Sequence, residues 1–445
     1  MTVATRTPPT IELDPDPSDW ASMVAAPSRD SRCAEMRRQM GLPTDRPIVM
    51  AGHQGQLWHP GIAAKAYAAQ ALAERIGGVA AWLVVDTDDN DPYEIALPCR
   101  DADGSLERRV VSLAKQSARA RRAMAEPGTL HTLDELECDP ASPVLRTRLE
   151  SAVATVDAWS SRDYAGSTVT LAALASLPAI APFRIVRASH IAETDAFRAL
   201  ASALTHDAAR EAYNAAVEAE PGSGVRRLGV LGGAAEIPLW HTEAGVWRPA
   251  TIENPADSLM PKALTLTGLV RAFACDLFIH GTGGRAYEPI NDRWMPGITE
   301  AALAPFVTAS ATLRLQFDDE PEVVEQDVAR ARWAAHHARH HPRLLGDDDA
   351  QAERDRLVRT IAALPRDGRE RADTFAQLHG LLGAARDRHA GALEKLDADA
   401  RAAAARYAER AVRNDRTYPA ALHNPADLEQ LREQIEWAFG GGSAR

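Results

Sequence analysis

Two histidines six residues apart mark the segment with the most chemical potential. Gly52-His53-Gln54-Gly55-Gln56-Leu57-Trp58-His59-Pro60-Gly61 runs into an alanine-rich stretch that carries Lys65 one turn in. A helix starting near Pro60 would offer an anion its unpaired N–H groups and positive dipole end. His53 and His59 would donate hydrogen bonds to phosphate oxygens as charge develops, with Lys65 neutralising that charge. Gly52, Gln54 and Gly61 are candidate nucleotide contacts in the same loop. The bland alternative is that Pro60 and the glycines shape a turn which the histidines cap.

A second cluster, Asp86-Thr87-Asp88-Asp89-Asn90-Asp91, follows an apolar run. Carboxylates this close repel one another unless a cation or donors neutralise them. Asp86, Asp88 and Asp89 are therefore candidate Mg²⁺ ligands, and Asp88, Asp89, Asn90 and Asp91 candidate contacts to a substrate amine or hydroxyl. The spacing is not an EF-hand, because Asp91 and Leu97 occupy its glycine and glutamate positions. A third cluster is His280-Gly281-Thr282-Gly283-Gly284 with Tyr287 beyond. Gly281, Gly283 and Gly284 would let N–H groups converge on phosphate as a nest.

Only four of the 50 basic residues are lysines: Lys65, Lys115, Lys262 and Lys395. Where arginine is the default cation, a retained lysine is a candidate for work that needs a compact ammonium. Lys262 stands with Lys65 on that ground. His336, His337, His340 and His341 share helical spacing but lack neighbouring carboxylate or thiol ligands, and read as a solvated helix. Trp82, Trp240 and Trp247 lie on strand-like runs and read as core.

The elements that must position these residues are a βαβ unit and its continuation. Residues 47–51 and 80–85 are continuously apolar strands, with a helix over 62–76 between them ended by Gly77-Gly78. Further strands are expected at 183–187 and 275–280, a helix at 193–217, and a hairpin joining 238–241 to 246–249 across 242–245. Residues 1–40 are expected to wrap the surface, and 105–180 to form a mostly helical insertion within a core over 41–310. Phe375, Leu378, Leu382, Ala385, His389, Ala392 and Leu396 keep a heptad seam, the pattern of a coiled coil. An arm over 311–415 would precede a segment, 416–445, returning to the core and ending in a frayed tail.

Composition narrows the function classes. The net charge of −12 and the lack of a basic stripe argue against nucleic-acid binding. No run approaches the ~18 apolar residues of a membrane span, and no signal peptide opens the chain. The cysteines Cys33, Cys99, Cys138 and Cys275 form no CxxC pair. The expectation is a cytoplasmic protein with reduced thiols.

Taken together the three segments resemble the bacillithiol-biosynthesis cysteine-adding (BshC-like) enzyme family. Gly52-His53-Gln54 through Gly61 with Lys65 is similar to its GQQ…GP segment. Thr87 to Glu94 resembles its SEDHDFEE segment. Gly281-Thr282-Gly283-Gly284 with Tyr287 resembles its GGPGE segment, in the same order over about residues 45–300. The chain departs from the family pattern at His53, His59 and Asn90, and His59-Pro60-Gly61 comes nearer to the HxGH loops of nucleotidyl transferases and class I aminoacyl-tRNA synthetases. The resemblance implies a Rossmann-like (HUP-type) parallel-sheet core, a coiled coil forming a homodimer, and a nucleotide site. The expectation is an ATP-dependent ligase that uses ATP or ADP as its nucleotide and Mg²⁺ at the acidic loop, joining an amino acid such as cysteine to an amine acceptor such as an amino sugar. A metal-dependent nucleotidyl transferase or phosphohydrolase and a non-catalytic nucleotide-binding scaffold are the alternatives.

Overall fold

The computed structural model describes residues 8–24, 30–115, 122–160, 164–243, 246–317 and 323–440. The hairpin turn at 244–245, the tail beyond 440 and parts of the 105–180 insertion lie outside the described residues. Two compact units are present: Met1–Arg100 with Arg108–Gln316 and Asp415–Arg445, and Asp101–Glu107 with Phe317–Asn414.

The first unit is mixed α/β around a six-stranded sheet. Its strands are β1 (Thr10–Asp14), β2 (Ile48–Gln54), β3 (Val79–Val85), β4 (Arg184–Arg187), β5 (Leu277–His280) and β6 (Phe306–Thr312). Their order across the sheet is β1-β6-β5-β2-β3-β4. All neighbours are parallel except β1, which runs antiparallel to β6 with Thr10 opposite Thr312. Ile48 to Ala51, Ala81 to Val84 and the whole of β5 are buried, the continuous apolar pattern of a parallel sheet covered on both faces. The expected strands and the helix Pro60–Arg75 are in place. So is the hairpin, Ala234–Glu243 with Val246–Thr251, in which Trp247 faces Thr242.

Several expectations are corrected. Residues 1–40 do not merely wrap the surface, since β1 is an edge strand of the main sheet and Trp20 is fully buried. Thr10 to Asp14 alternates, but its Pro- and Asp-rich flanks mask the signal. The 105–180 region opens with strand rather than helix: Leu106–Ser112 and Asp139–Pro140 flank Glu94–Arg100 in a small sheet, and the helices Pro143–Trp159 and Ala165–Ala175 come only later. The expected 193–217 helix is two, Asp195–Ala203 and Asp207–Ala219, the first begun by the Thr194 side-chain cap.

Not all thiols are reduced. Cys99 and Cys138 form a disulfide, while Cys33 and Cys275 are free and buried. The two cysteines are 39 residues apart in sequence and are brought together by an antiparallel pairing that sets Cys99 opposite Pro140, so spacing gave no hint of the bridge. Closing a loop of that size is worth about 2–4 kcal/mol. Peptide mapping after alkylation without reductant is expected to find Cys99 linked to Cys138, with reductant lowering the midpoint of denaturant unfolding. Labelling of all four thiols in the folded, unreduced protein would contradict this.

The second unit is helical. Glu325–Ala338 packs with Ala390–Ala408, and Asp348–Ala363 with Arg369–Arg388. The heptad seam does not run through: the helix breaks at His389, whose Nε2 lies 3.1 Å from Asp347 Oδ2. Leu382 and Ala385 are buried before the break, but Leu393 and Ala400, not Ala392 and Leu396, are buried after it. A shifted register at the break re-aims the apolar face. His336, His337, His340 and His341 stack along one another and on Trp333.

Candidate functional site

The sheet places the site. From β2 the chain steps outward through β3 to β4, and later returns to β5 on the other side of β2 before reaching β6. The direction of winding therefore reverses between β2 and β5. The connections leaving the carboxyl ends of these two strands diverge and leave a crevice there. A cavity of about 400 Å³ occupies it.

All three sequence clusters meet in its wall. Gly52, His53, Gln54, His59, Gly61 and Lys65 line it from β2 and the following helix. His280, Gly281, Gly283, Gly284 and Tyr287 line it from β5, and Asp88 and Lys262 complete the expected set. Asp86, Asp89, Asn90 and Asp91 do not line it. Trp240, Thr87, Ser310 and Arg416 do, and sequence reasoning missed them.

His59 is the N-cap of Pro60–Arg75. Its Nδ1 accepts from Gly61 N–H at 3.1 Å, and its carbonyl accepts from the N–H groups of Ile62 and Ala63. This corrects the expectation of free N–H groups at that helix start, because the cap already holds them. Nδ1 as acceptor leaves Nε2 as the ring's donor. Burial, then Arg416 and Lys65, push the His59 imidazole down to about 4. Burial, reinforced by Lys65, also holds His53 well below its ordinary value. Both rings are neutral hydrogen-bonding groups near pH 7.

Lys65 is buried without a carboxylate partner among the contacts described. Its Nζ donates to the Gly52 carbonyl at 2.5 Å and lies 5.6 Å from the Trp82 ring centre. Burial lowers it to about 7. Gly52 is needed for close approach, since a Cβ there would stand 2.7 Å from Leu83. Lys262 Nζ sits 4.3 Å from the centre of the Trp240 ring, and burial lowers its pKa too. Trp240 is thus a platform at the cavity rather than plain core, a correction, whereas Trp82 is fully buried as expected. Arg416 is set by a 3.1 Å bond to Thr312 Oγ1.

The glycines after β5 do not form the expected nest. None of Gly281, Gly283 and Gly284 has positive φ, and Thr282–Arg285 is a single helical turn. Gly284 is required by contact instead, because a Cβ there would overlap the His280 ring.

The acidic cluster does not converge on a point. Asp86 is buried and accepts from Ser189 N–H at 2.8 Å and its hydroxyl at 2.5 Å, capping the short helix Ala188–Ile191. Asp89 pairs with Arg122, Asp91 accepts from Tyr93 N–H, and Asn90 donates to the Gly55 carbonyl. Asp88 alone faces the cavity, where it accepts from Gln54 at 3.1 Å. No group of three side chains suited to a metal occurs among the described residues. The acidic loop, with its carboxylates turned to separate partners, does not fit a Mg²⁺ ligand set.

The charge balance of the cavity is the opposite of the chain's. In a protein of net charge −12, its lining carries Lys65, Lys262 and Arg416 against the single carboxylate of Asp88. Enclosed walls strengthen such a field, so the arrangement suits an anion flanked by aromatic and neutral imidazole groups. Comparison with protein-family models finds none that matches the chain, and comparison with curated proteins finds no match. No helix among the described residues is long and apolar enough to cross a membrane.

Proposed function

We propose that the protein is a nucleotide-binding enzyme with a Rossmann-like core that uses ATP to activate a carboxylate and join it to an amine. The observation that carries this reading is the gathering of three cations and two neutral histidines at the strand reversal, the place where open parallel sheets take anionic cofactors. Lys65 and Arg416 would meet phosphate oxygens, with His59 Nε2 as a neutral donor, while His53, whose Nδ1 lies 3.3 Å from the Gln54 carbonyl, would offer the ligand its bare Nε2 as an acceptor. Trp240 and Lys262, with Asp88 opposite, would hold the small-molecule substrate. The resemblance of the three cavity-lining segments to the cysteine-adding enzyme family supports amide formation, with an amino acid as the carboxylate. The metal-dependent transferase or hydrolase loses its support, because the carboxylates it needs diverge.

Calorimetric titration of ATP and ADP into wild type and His59→Ala tests the nucleotide site. Wild type is expected to bind, and the variant to bind roughly tenfold more weakly through loss of one donor. The variant also loses its helix cap, worth about 1 kcal/mol, so circular dichroism must show it folded. No binding by folded wild type would overturn the reading.

A further inference from the structure

Behind the cavity wall, His280 leads into a buried polar cluster that the proposed function leaves unused. Its Nε2 is sealed from solvent and lies 3.0 Å from Glu288 Oε1, off the N–H axis. Nδ1 is not sealed in this way, and the residue lines the cavity. Glu288 is fully buried and held on every side. Thr267 Oγ1 donates to it at 2.5 Å, Arg271 Nη1 at 2.5 Å and Asn291 Nδ2 at 3.2 Å. Burial alone would push this carboxyl up, but the His280 ring, Arg271 and Thr267 outweigh it and hold it at about 2.

A buried carboxylate tied down by three donors needs a reason, since an apolar group of the same shape would cost less. A carboxylate 3.0 Å from one ring nitrogen, with the other nitrogen less sealed, favours the tautomer protonated on the near side and offsets the charge of an imidazolium. Phe278, Tyr287 and Phe306 pack around the ring. The charged or titratable groups near it are Glu288, Arg271 behind Glu288, Asp292 beyond Arg271, and the Tyr287 phenol, which burial pushes up to about 12.

We propose that Glu288 is a positioning residue that holds His280 as the general base of the cavity, with Nδ1 receiving the proton of the attacking nucleophile. This rests on the ligase reading. The amine nitrogen attacks the carbonyl carbon of the ATP-derived acyl phosphate or adenylate. The C–N bond forms, the C–O bond to phosphate breaks, and its electron pair leaves with the phosphate. The surplus proton on nitrogen passes to Nδ1, and Glu288 balances the resulting imidazolium.

The test is ¹⁵N imidazole NMR of the full chain, with the His280 signals assigned through His280→Gln, beside ATP calorimetry and ATP turnover with an amino acid and amine. Wild type is expected to show the proton on Nε2 and Nδ1 bare. In Glu288→Gln that preference should be lost, with kcat roughly tenfold or more lower and the KM for ATP unchanged. Should Glu288→Gln not fold, Thr267→Val removes one donor to the carboxylate and is expected to weaken the same preference. An unchanged tautomer in a folded variant, or a KM change without a kcat change, overturns the positioning role. Absence of ATP binding in wild type instead sinks the ligase reading, and leaves the tautomer result to stand by itself.

Discussion

Replacing Lys65 by methionine is expected to make the protein more stable and to weaken its binding of ATP about a hundredfold. Both effects have one cause. A lysine lowered by burial from 10.5 to about 7 carries a penalty for its charge of up to about 5 kcal/mol, at about 1.4 kcal/mol per pKa unit. Methionine keeps the apolar stem against Trp82 and removes the charge, so the melting temperature should rise by several degrees. The same charge is what an anion would pair with, and a charge-assisted bond is worth roughly 1.5–3 kcal/mol. A variant that loses stability, or that binds ATP as wild type does, would remove Lys65 from the site.

The pH dependence follows with a definite sign. Below about 7 the ammonium is present in folded and unfolded chains alike, and the folded state bears the full penalty. Between about 7 and 10.5 the unfolded chain holds a proton that the folded one has released, so stability contributed by this group rises with pH across that window. Affinity for an anion runs the other way and declines as the free protein's lysine discharges above about 7. Near pH 8 ATP binding should therefore take up a proton, visible as a calorimetric enthalpy that varies with the ionisation heat of the buffer. Lys65→Met should show neither the stability rise nor the proton uptake.

The legible part of the site was the part written locally. An apolar strand, glycines and then an amphipathic or alanine-rich helix put His53, His59 and Lys65 at a strand end, and the same punctuation put His280 and Gly281 at another. That these ends are neighbours depends on β5 pairing with β2, a contact more than 220 residues apart that no local pattern encodes. Glu288 opens a helix and looks like an ordinary first-turn acid, since its burial is set by Arg271 and His280. Arg416 arrives after the whole helical unit, and one arginine among so many carries no mark. Asp86 misled for the converse reason: beside Asp88 it looks like a ligand, while its partner, Ser189, lies 103 residues away. The edge strand β1 and the Cys99–Cys138 bridge were hidden in the same way.

The end of the sheet opposite the cavity should respond differently, and Arg37→Met is the substitution that shows it. Arg37 Nη2 lies 2.8 Å from Asp276 Oδ1, and both side chains are almost wholly buried. Asp276 Oδ2 also accepts from Ile48 N–H at 2.7 Å. The pair thus ties the helix Ser31–Gln39 to the starts of β2 and β5, far along both strands from His53 and His280. Removing the guanidinium strands a buried carboxylate, which costs about 3–5 kcal/mol. Denaturant unfolding should show a loss of that size, insensitive to salt because the pair is buried, while ATP affinity in the remaining folded protein stays within about twofold. Asp276→Asn added to Arg37→Met removes the stranded charge and keeps an acceptor for Ile48, so the double variant should recover part of the loss. Recovery would assign the cost to the unpaired charge; a double variant no more stable than Arg37→Met would assign it to the packing of the arginine stem instead.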